Sequence, residues 1–120
     1  MLLNQVVQAS TRVAATGSRT AKVAVLAETL AAAVPDELEI IAHYLSGSLR
    51  QRRTGVGWRS LVARPEAAGE PTLSIAEVDA AFAELAELAG AGSQGSRMML
   101  LADLLGRATA AEQAFLSGLI

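Results

Sequence analysis

Three arginines fall within four positions of one stretch, YLSGSLRQRRTGVGW (residues 44–58): Arg50, Arg52 and Arg53, followed by Gly55, Gly57 and Trp58, the only tryptophan. Arginine's planar fork suits a bidentate grip on an oxyanion. Glycines let the backbone lie close against a ligand surface. Two further stretches carry complementary chemistry. In TGSRTAK, Gly17 and Ser18 open a helical run, with Arg19 next and Lys22 four residues past the serine. In AGSQGSR, Gly92 and Ser93 do the same, with Gln94 and Ser96 following and Arg97 four residues past the serine. A Gly-Ser turn at a helix start offers unpaired amides and a hydroxyl at the positive end of the helix dipole, and a cation one turn in lies beside that end. A phosphate there meets all three. Serine also caps helices with no ligand at all, but turn and cation recurring together, beside an arginine-rich turn, favour phosphate contact.

Other chemistry is poorly supplied. His43 is the only histidine and has no second ligand type near it in sequence; it reads as a helix residue packing beside Tyr44. Ser46 lies one turn from it, but no acid completes a triad. Glu28, Glu84, Glu87 and Asp103 read as solvated helix faces, and Met98 and Met99 as core or partly buried positions. The glycines of TGVGW follow no strand and have the wrong spacing for a dinucleotide fingerprint, and there is no phosphate-binding Gly-rich Lys-Ser/Thr loop. No active site emerges.

The charge is divided along the chain. Residues 1–64 hold eight Lys/Arg against four acids, whereas residues 65–120 hold two basic residues and eight acids, for a net charge of −2. A split of this kind fits one face built for an anion and another that is ordinary solvated surface. The absence of cysteine removes disulfides and thiolate zinc sites and favours a reducing, intracellular setting. The N-terminus lacks the pattern of a signal peptide, and no uninterrupted apolar run is long enough to span a membrane. One domain of 120 residues can hold a core without staples.

The elements that must position these groups all read as helix. The first spans roughly Leu2 to Ala15. The second runs from about Ser18 to Ala33, with Val23, Leu26, Ala27 and Leu30 at helical spacing as its inward face. Pro35 starts a third, with Asp36 and Glu37 at its positive end, Leu38, Ile41, Ala42 and Leu45 inward, and Gly47 as its left-handed stop. Residues 63–72 form a loop. Ser74 and Glu77 make a capping box for a fourth helix to about Ala89. A fifth covers about Ser96 to Arg107, and Thr109 with Glu112 caps a sixth. No alternating run calls for a strand.

The two Gly-Ser turns head an internal repeat. TGSRTAKVAVLAETL (16–30) aligns with AGSQGSRMMLLADLL (91–105) without a gap, and HYLSG (43–47) meets AFLSG (114–118) after a four-residue deletion. Each copy, 16–47 and 91–118, is a turn, a helix, a connection and a second helix ending in Leu-Ser-Gly. The expected architecture is therefore a single all-α domain of about six helices in two pseudo-repeated helical hairpins, whose two helix starts could grip both strands of one duplex.

On these residues the chain resembles the N-terminal DNA-binding domain of ATP-dependent DNA ligases of the actinobacterial type. The matching stretches are VAATGSRTAKVAVLAETL, YLSGSLRQRRTGVGW, GAGSQGSRMMLLADLL and TAAEQAFLSGLI, the last two in that order being the more specific, and together they cover most of the chain. The resemblance implies a helical module that clamps nicked duplex DNA by phosphate and minor-groove contacts, in repair, replication or recombination. It also implies a covalently linked nucleotidyltransferase and OB-fold core that uses ATP and Mg, and a bacterial cytoplasmic, nucleoid-associated location. Two features depart from the whole enzyme. The sole lysine, Lys22, stands in AKVA, so the AMP-accepting Lys-x-Asp-Gly motif is absent from these residues, and the second repeat ends without a basic turn. The chain thus reads as a domain unable to ligate by itself, without the parent's catalytic domains. No helix carries an obvious set of base-reading side chains, so recognition should follow shape and charge, with Trp58 anchoring the arginine turn in the core. The alternatives are a helical protein-interaction module that ignores DNA, and a sequence-selective helix-turn-helix regulator.

Overall fold

A computed structural model describes residues 1–51, 65–88 and 92–119. The first helix, α1 (Leu3–Ala14), buries Leu3, Val6, Val7 and Ala9 on one face. Its start is stitched to a distant part of the chain. The Leu3 amide donates to the Leu73 carbonyl at 2.9 Å, and the Ile75 amide donates to the Met1 carbonyl at 2.9 Å. This single antiparallel rung satisfies the first orphan amide of two helices at once, α1 and α4 (Ile75–Glu87). Ser74 and Glu77 also form the expected box, each side chain accepting from the other's amide at 3.1 Å. The Met1 ammonium meets the Glu37 carboxylate at 3.0 Å.

The second helix, α2 (Arg19–Ala31), leans on α1 and contributes one fully buried side chain, Val25. The expected inward stripe is corrected by about one residue of rotation. Val23 is 58% exposed and Ala27 lies in solvent, whereas Val25 is buried and Leu26, Thr29 and Leu30 are half-buried. A 3₁₀ turn at Pro35–Glu37 leads into α3 (Leu38–Leu45), which turns Ile40, Ile41 and Tyr44 inward. Leu38 and Ala42, expected inside, are exposed. Helix α3 ends in a Schellman motif: the Ser48 amide reaches the His43 carbonyl at 2.9 Å and the Gly47 amide reaches the Tyr44 carbonyl at 3.1 Å, with Gly47 at φ 83°. Leu49 then plugs into the core.

Helix α5 (Gln94–Gly106) packs on α4, and α6 (Ala110–Leu119) packs on α1. The Thr109–Glu112 box starts α6, with the Thr109 amide donating to the Glu112 carboxylate at 2.8 Å. Gln113 ties α6 to its surroundings, donating to the carbonyls of Leu105 at 2.8 Å and Pro65 at 3.2 Å. Leu-Ser-Gly is not a stop in the second copy, because α6 continues through Gly118 to Leu119. Phe82, Leu85, Leu104, Leu105 and Leu116 join Leu3, Ile41 and Tyr44 in one core, where the Tyr44 and Phe115 rings meet edge to face at 6.5 Å. Among the described residues the domain is all helix, with no strand beyond the isolated Leu2–Ser74 bridge, and no helix is long and apolar enough to cross a membrane.

Candidate nucleic-acid interface

The turn between α1 and α2 is shaped by its own hydroxyls. The Ser18 amide donates to Thr16 Oγ1 at 3.2 Å, and Ser18 Oγ accepts the Ala21 amide at 3.2 Å while its carbonyl takes the Lys22 amide at 3.0 Å. Ser18 is therefore a genuine N-cap. The cap uses the oxygen only as an acceptor, so among the described residues its proton remains unspent, as do the amides of Arg19 and Thr20. Gly17 is outside the left-handed region, and a Cβ there would meet nothing within 4 Å. Among the described residues nothing requires a glycine at that place.

The side chains around this turn are basic. Arg19 is exposed and Lys22 half-buried, and among the described residues neither forms an ion pair. Arg12, in the last turn of α1, reaches Glu28 at 3.8 Å, with both side chains mostly in solvent. A contact of that kind holds the arginine weakly, at about 0–1 kcal/mol. Unpaired cations, an unspent hydroxyl proton and free amides thus share one helix start.

The second Gly-Ser turn has a different conformation. Gly92 takes φ 86°, and Ser93 sits in helical geometry with no side-chain cap. Gln94, Gly95 and Ser96 fill an exposed first turn of α5, and Arg97 is half-buried, its amide on the Ser93 carbonyl at 2.9 Å. Met98 and Met99, expected in or near the core, are instead 49% and 76% exposed. The two helix starts resemble each other in residue type but not in turn geometry.

The arginine turn is described only at its root. Arg52, Arg53, Gly55, Gly57 and Trp58 lie outside the described residues. Arg50 is committed to α4: its Nε donates to Asp79 Oδ1 at 3.1 Å and its Nη2 to Oδ2 at 2.6 Å. The Gln51 amide nitrogen adds a bond to the same carboxylate at 2.8 Å. Burial works against ionisation of Asp79, but these hydrogen bonds and the arginine's charge outweigh it and hold the carboxyl below its ordinary range. Near the pair, the buried Tyr44 hydroxyl has no hydrogen-bond partner among the described residues, and burial, reinforced by Asp79, pushes its pKa up. Asp79 escaped the sequence reading. The signal was present: in IAEVDAAFAEL, Asp79 lies between Val78 and Phe82 on the inward face, where a carboxylate requires a cation.

Among the described residues no group of three or more His, Cys, Asp or Glu could hold a metal ion. Comparison with known proteins bears on the helical scaffold as a whole. The family model described as DNA ligase N terminus matches residues 58–120. Along its entire length the chain is 51% identical to a probable DNA ligase of Nocardioides sp., 54% to one of Kineococcus radiotolerans and 51% to one of Beutenbergia cavernae. It spans about a quarter of the length of these curated relatives, 25%, 24% and 23% respectively. No solved structure matches it. Six α-helices among the described residues, a family match over more than half of the chain and half-identity from end to end lead to one conclusion: the chain belongs to the DNA ligase N-terminus family.

Proposed function

We propose that this chain is the DNA-holding module of an ATP-dependent DNA ligase, binding nicked duplex through its sugar–phosphate surface without regard to sequence. The observation that carries the reading is the start of α2, where Arg19 and Lys22 stand without ion pairs beside the unspent Ser18 proton and the free amides of Arg19 and Thr20. A phosphate oxygen accepts from every one of these groups. The open space at Gly17 fits close approach of a backbone to a ligand. The start of α5, with Gly92, Ser93, Gln94, Ser96 and Arg97, serves as a second grip on the pseudo-repeat 16–47 and 91–118, and Arg52, Arg53, Gly55 and Gly57 complete the basic surface.

Strand sealing in repair, replication or recombination then belongs to the longer protein, covalently joined to this module and acting at the bacterial nucleoid. ATP and Mg serve that catalytic portion. Within this chain Lys22 is followed by Val23, Ala24 and Val25, so Ala-Val stands where a Lys-x-Asp-Gly motif has Asp-Gly.

The test is a salt-series titration of nicked, intact and unrelated duplexes. Four to six phosphate contacts give a log–log slope of roughly −4 to −5, at about 0.9 per contact, with Kd on the order of 10⁻⁴ to 10⁻⁶ M at physiological salt. A flat salt dependence overturns the reading. Exposed Val23, Met98 and Met99 favour a second function, a helical protein-interaction module; indifference to every duplex would support that alternative.

A further inference from the structure

Arg50 is anchored along one edge only. Its Nε and Nη2 are taken by the two oxygens of Asp79, at 3.1 and 2.6 Å, from a helix 29 residues away in sequence. Asp79 is nearly buried, with its side chain 11% exposed, whereas the arginine side chain is 41% exposed. Among the described residues Nη1 makes no hydrogen bond. A guanidinium has five N–H donors in one plane. With the Nε–Nη2 edge occupied, the opposite edge, made of Nη1 and the outer hydrogen of Nη2, remains available and is the edge that fits two oxygens of a phosphate.

The support beneath this arginine is unusually complete. Gln51 donates to the same carboxylate at 2.8 Å and to the Asp79 carbonyl at 3.3 Å, so two consecutive residues are pinned to one turn of α4. Leu49, buried just before them, fixes the backbone on the other side, after the Schellman stop at Gly47. Tyr44 of α3 is buried and near enough to sense the charges of both partners. A carboxylate that is nearly buried holds its guanidinium more strongly than one at open surface.

We infer that Asp79 is a positioning residue for DNA binding: it holds the Arg50 guanidinium rigid, with the free Nη1–Nη2 edge turned outward to grip a backbone phosphate of the duplex. The inference rests on the DNA-binding reading above and deepens it. An unsupported arginine must lose its rotameric freedom when it captures a phosphate, and one already held does not. The advantage is about tenfold in affinity for this one contact.

Simple charge arithmetic gives the opposite sign, which makes the inference testable. Replacing Asp79 by Asn removes a negative charge, so electrostatics alone tightens binding to DNA. Loss of positioning weakens it. The experiment is a fluorescence-anisotropy titration of the 120-residue chain against a nicked duplex over a salt series, with thermal melts of every variant. Expected are about tenfold weaker binding for Asp79→Asn with an unchanged salt slope, and a slope shallower by about 0.9 for Arg50→Ala. In the Arg50→Ala background, Asp79→Asn should weaken binding no further. Arg50→Lys keeps the charge but lacks the planar fork, and should also weaken binding about tenfold, which provides a test if Asp79→Asn fails to fold. Asp79→Asn or Arg50→Lys binding as tightly as the parent overturns the inference, as does an equal loss from Asp79→Asn with and without Arg50. In each of those cases the parent's own salt-dependent binding still upholds the broader reading. A parent chain with no salt-dependent binding removes both.

Discussion

Ser18 offers a way to separate folding from recognition at a single atom. Its oxygen caps α2 by accepting the Ala21 amide at 3.2 Å, while its proton remains unspent. Ser18→Ala removes both roles. Loss of the cap should cost about 1 kcal/mol, within a range of about 0.5–2, lowering Tm by about 4 °C, and DNA binding should weaken as well. Ser18→Asp keeps the acceptor, since aspartate caps as well as serine and its charge suits the positive helix end. Tm should therefore hold or rise slightly. For DNA the same change is repulsive: a carboxylate about 5 Å from a phosphate costs about 1–3 kcal/mol between water-like and surface dielectrics, or roughly 5- to 150-fold in Kd. Differential scanning fluorimetry and anisotropy titration on the two variants give the four numbers needed. Stability retained with affinity lost places α2 against the backbone of the duplex. Ser18→Asp binding with parental affinity would refute the argument, because no phosphate could then lie at that helix start.

Three other expectations follow from the same geometry. Replacing Arg19 and Lys22 together by alanine should flatten the salt slope by about two contacts, near 1.8 in all, and leave Tm within about 1 °C, since neither side chain forms an ion pair; a fall in Tm with an unchanged slope would make them structural. Asp79 and Glu77 have carboxyls held below their ordinary range, Asp79 by Arg50 and Gln51 against the opposing effect of burial and Glu77 by hydrogen bonds from Ser74. The stability they supply is complete above the unfolded carboxylate pKa near 4 and is lost as pH falls through the lower folded values, so Asp79→Asn with Glu77→Gln should flatten Tm against pH below about pH 4, and an unaltered acid limb would contradict this. Leu104→Ala or Leu116→Ala, both fully buried, should cost about 2–5 kcal/mol in chemical denaturation, and Leu26→Ala only about 1; equal losses would mean that α2 is as deep in the core as α5 and α6.

Much of this fold is legible because its helix ends are written in short-range chemistry. Ser74 with Glu77, Thr109 with Glu112, Ser18 and Gly47 each act within a few residues, and each sits where its type demands. Helix faces are less legible. Alanine at positions 21, 24, 27 and 31 gives α2 no polar side to contrast with an apolar one, so its rotation is set by α1 rather than by its own pattern. Leu38 begins α3 directly after a 3₁₀ turn and faces outward, where a pattern drawn from an unbroken helix turns it in. Within the candidate interface, the Gly-Ser turns and their cations could be found from type and spacing. The Arg50–Asp79 pair could not, since 29 residues separate its partners and only the fold brings them together. The repeat likewise hides a divergence: Gly47 ends a helix in left-handed geometry, whereas its counterpart Gly118 continues one.

The rung between residues 1–3 and 73–75 also governs when the domain can assemble. Its two hydrogen bonds join chain segments some seventy residues apart, and closing a loop of that length costs about 4 kcal/mol of entropy before any contact repays it. Helix α1 reaches its final docked state only after Ile75 has been made, several seconds after α1 itself at about 5–20 residues per second. The first copy of the repeat, whose α2 leans on α1, therefore has no fixed α1 to rest on until residues 73–75 supply an amide and a carbonyl.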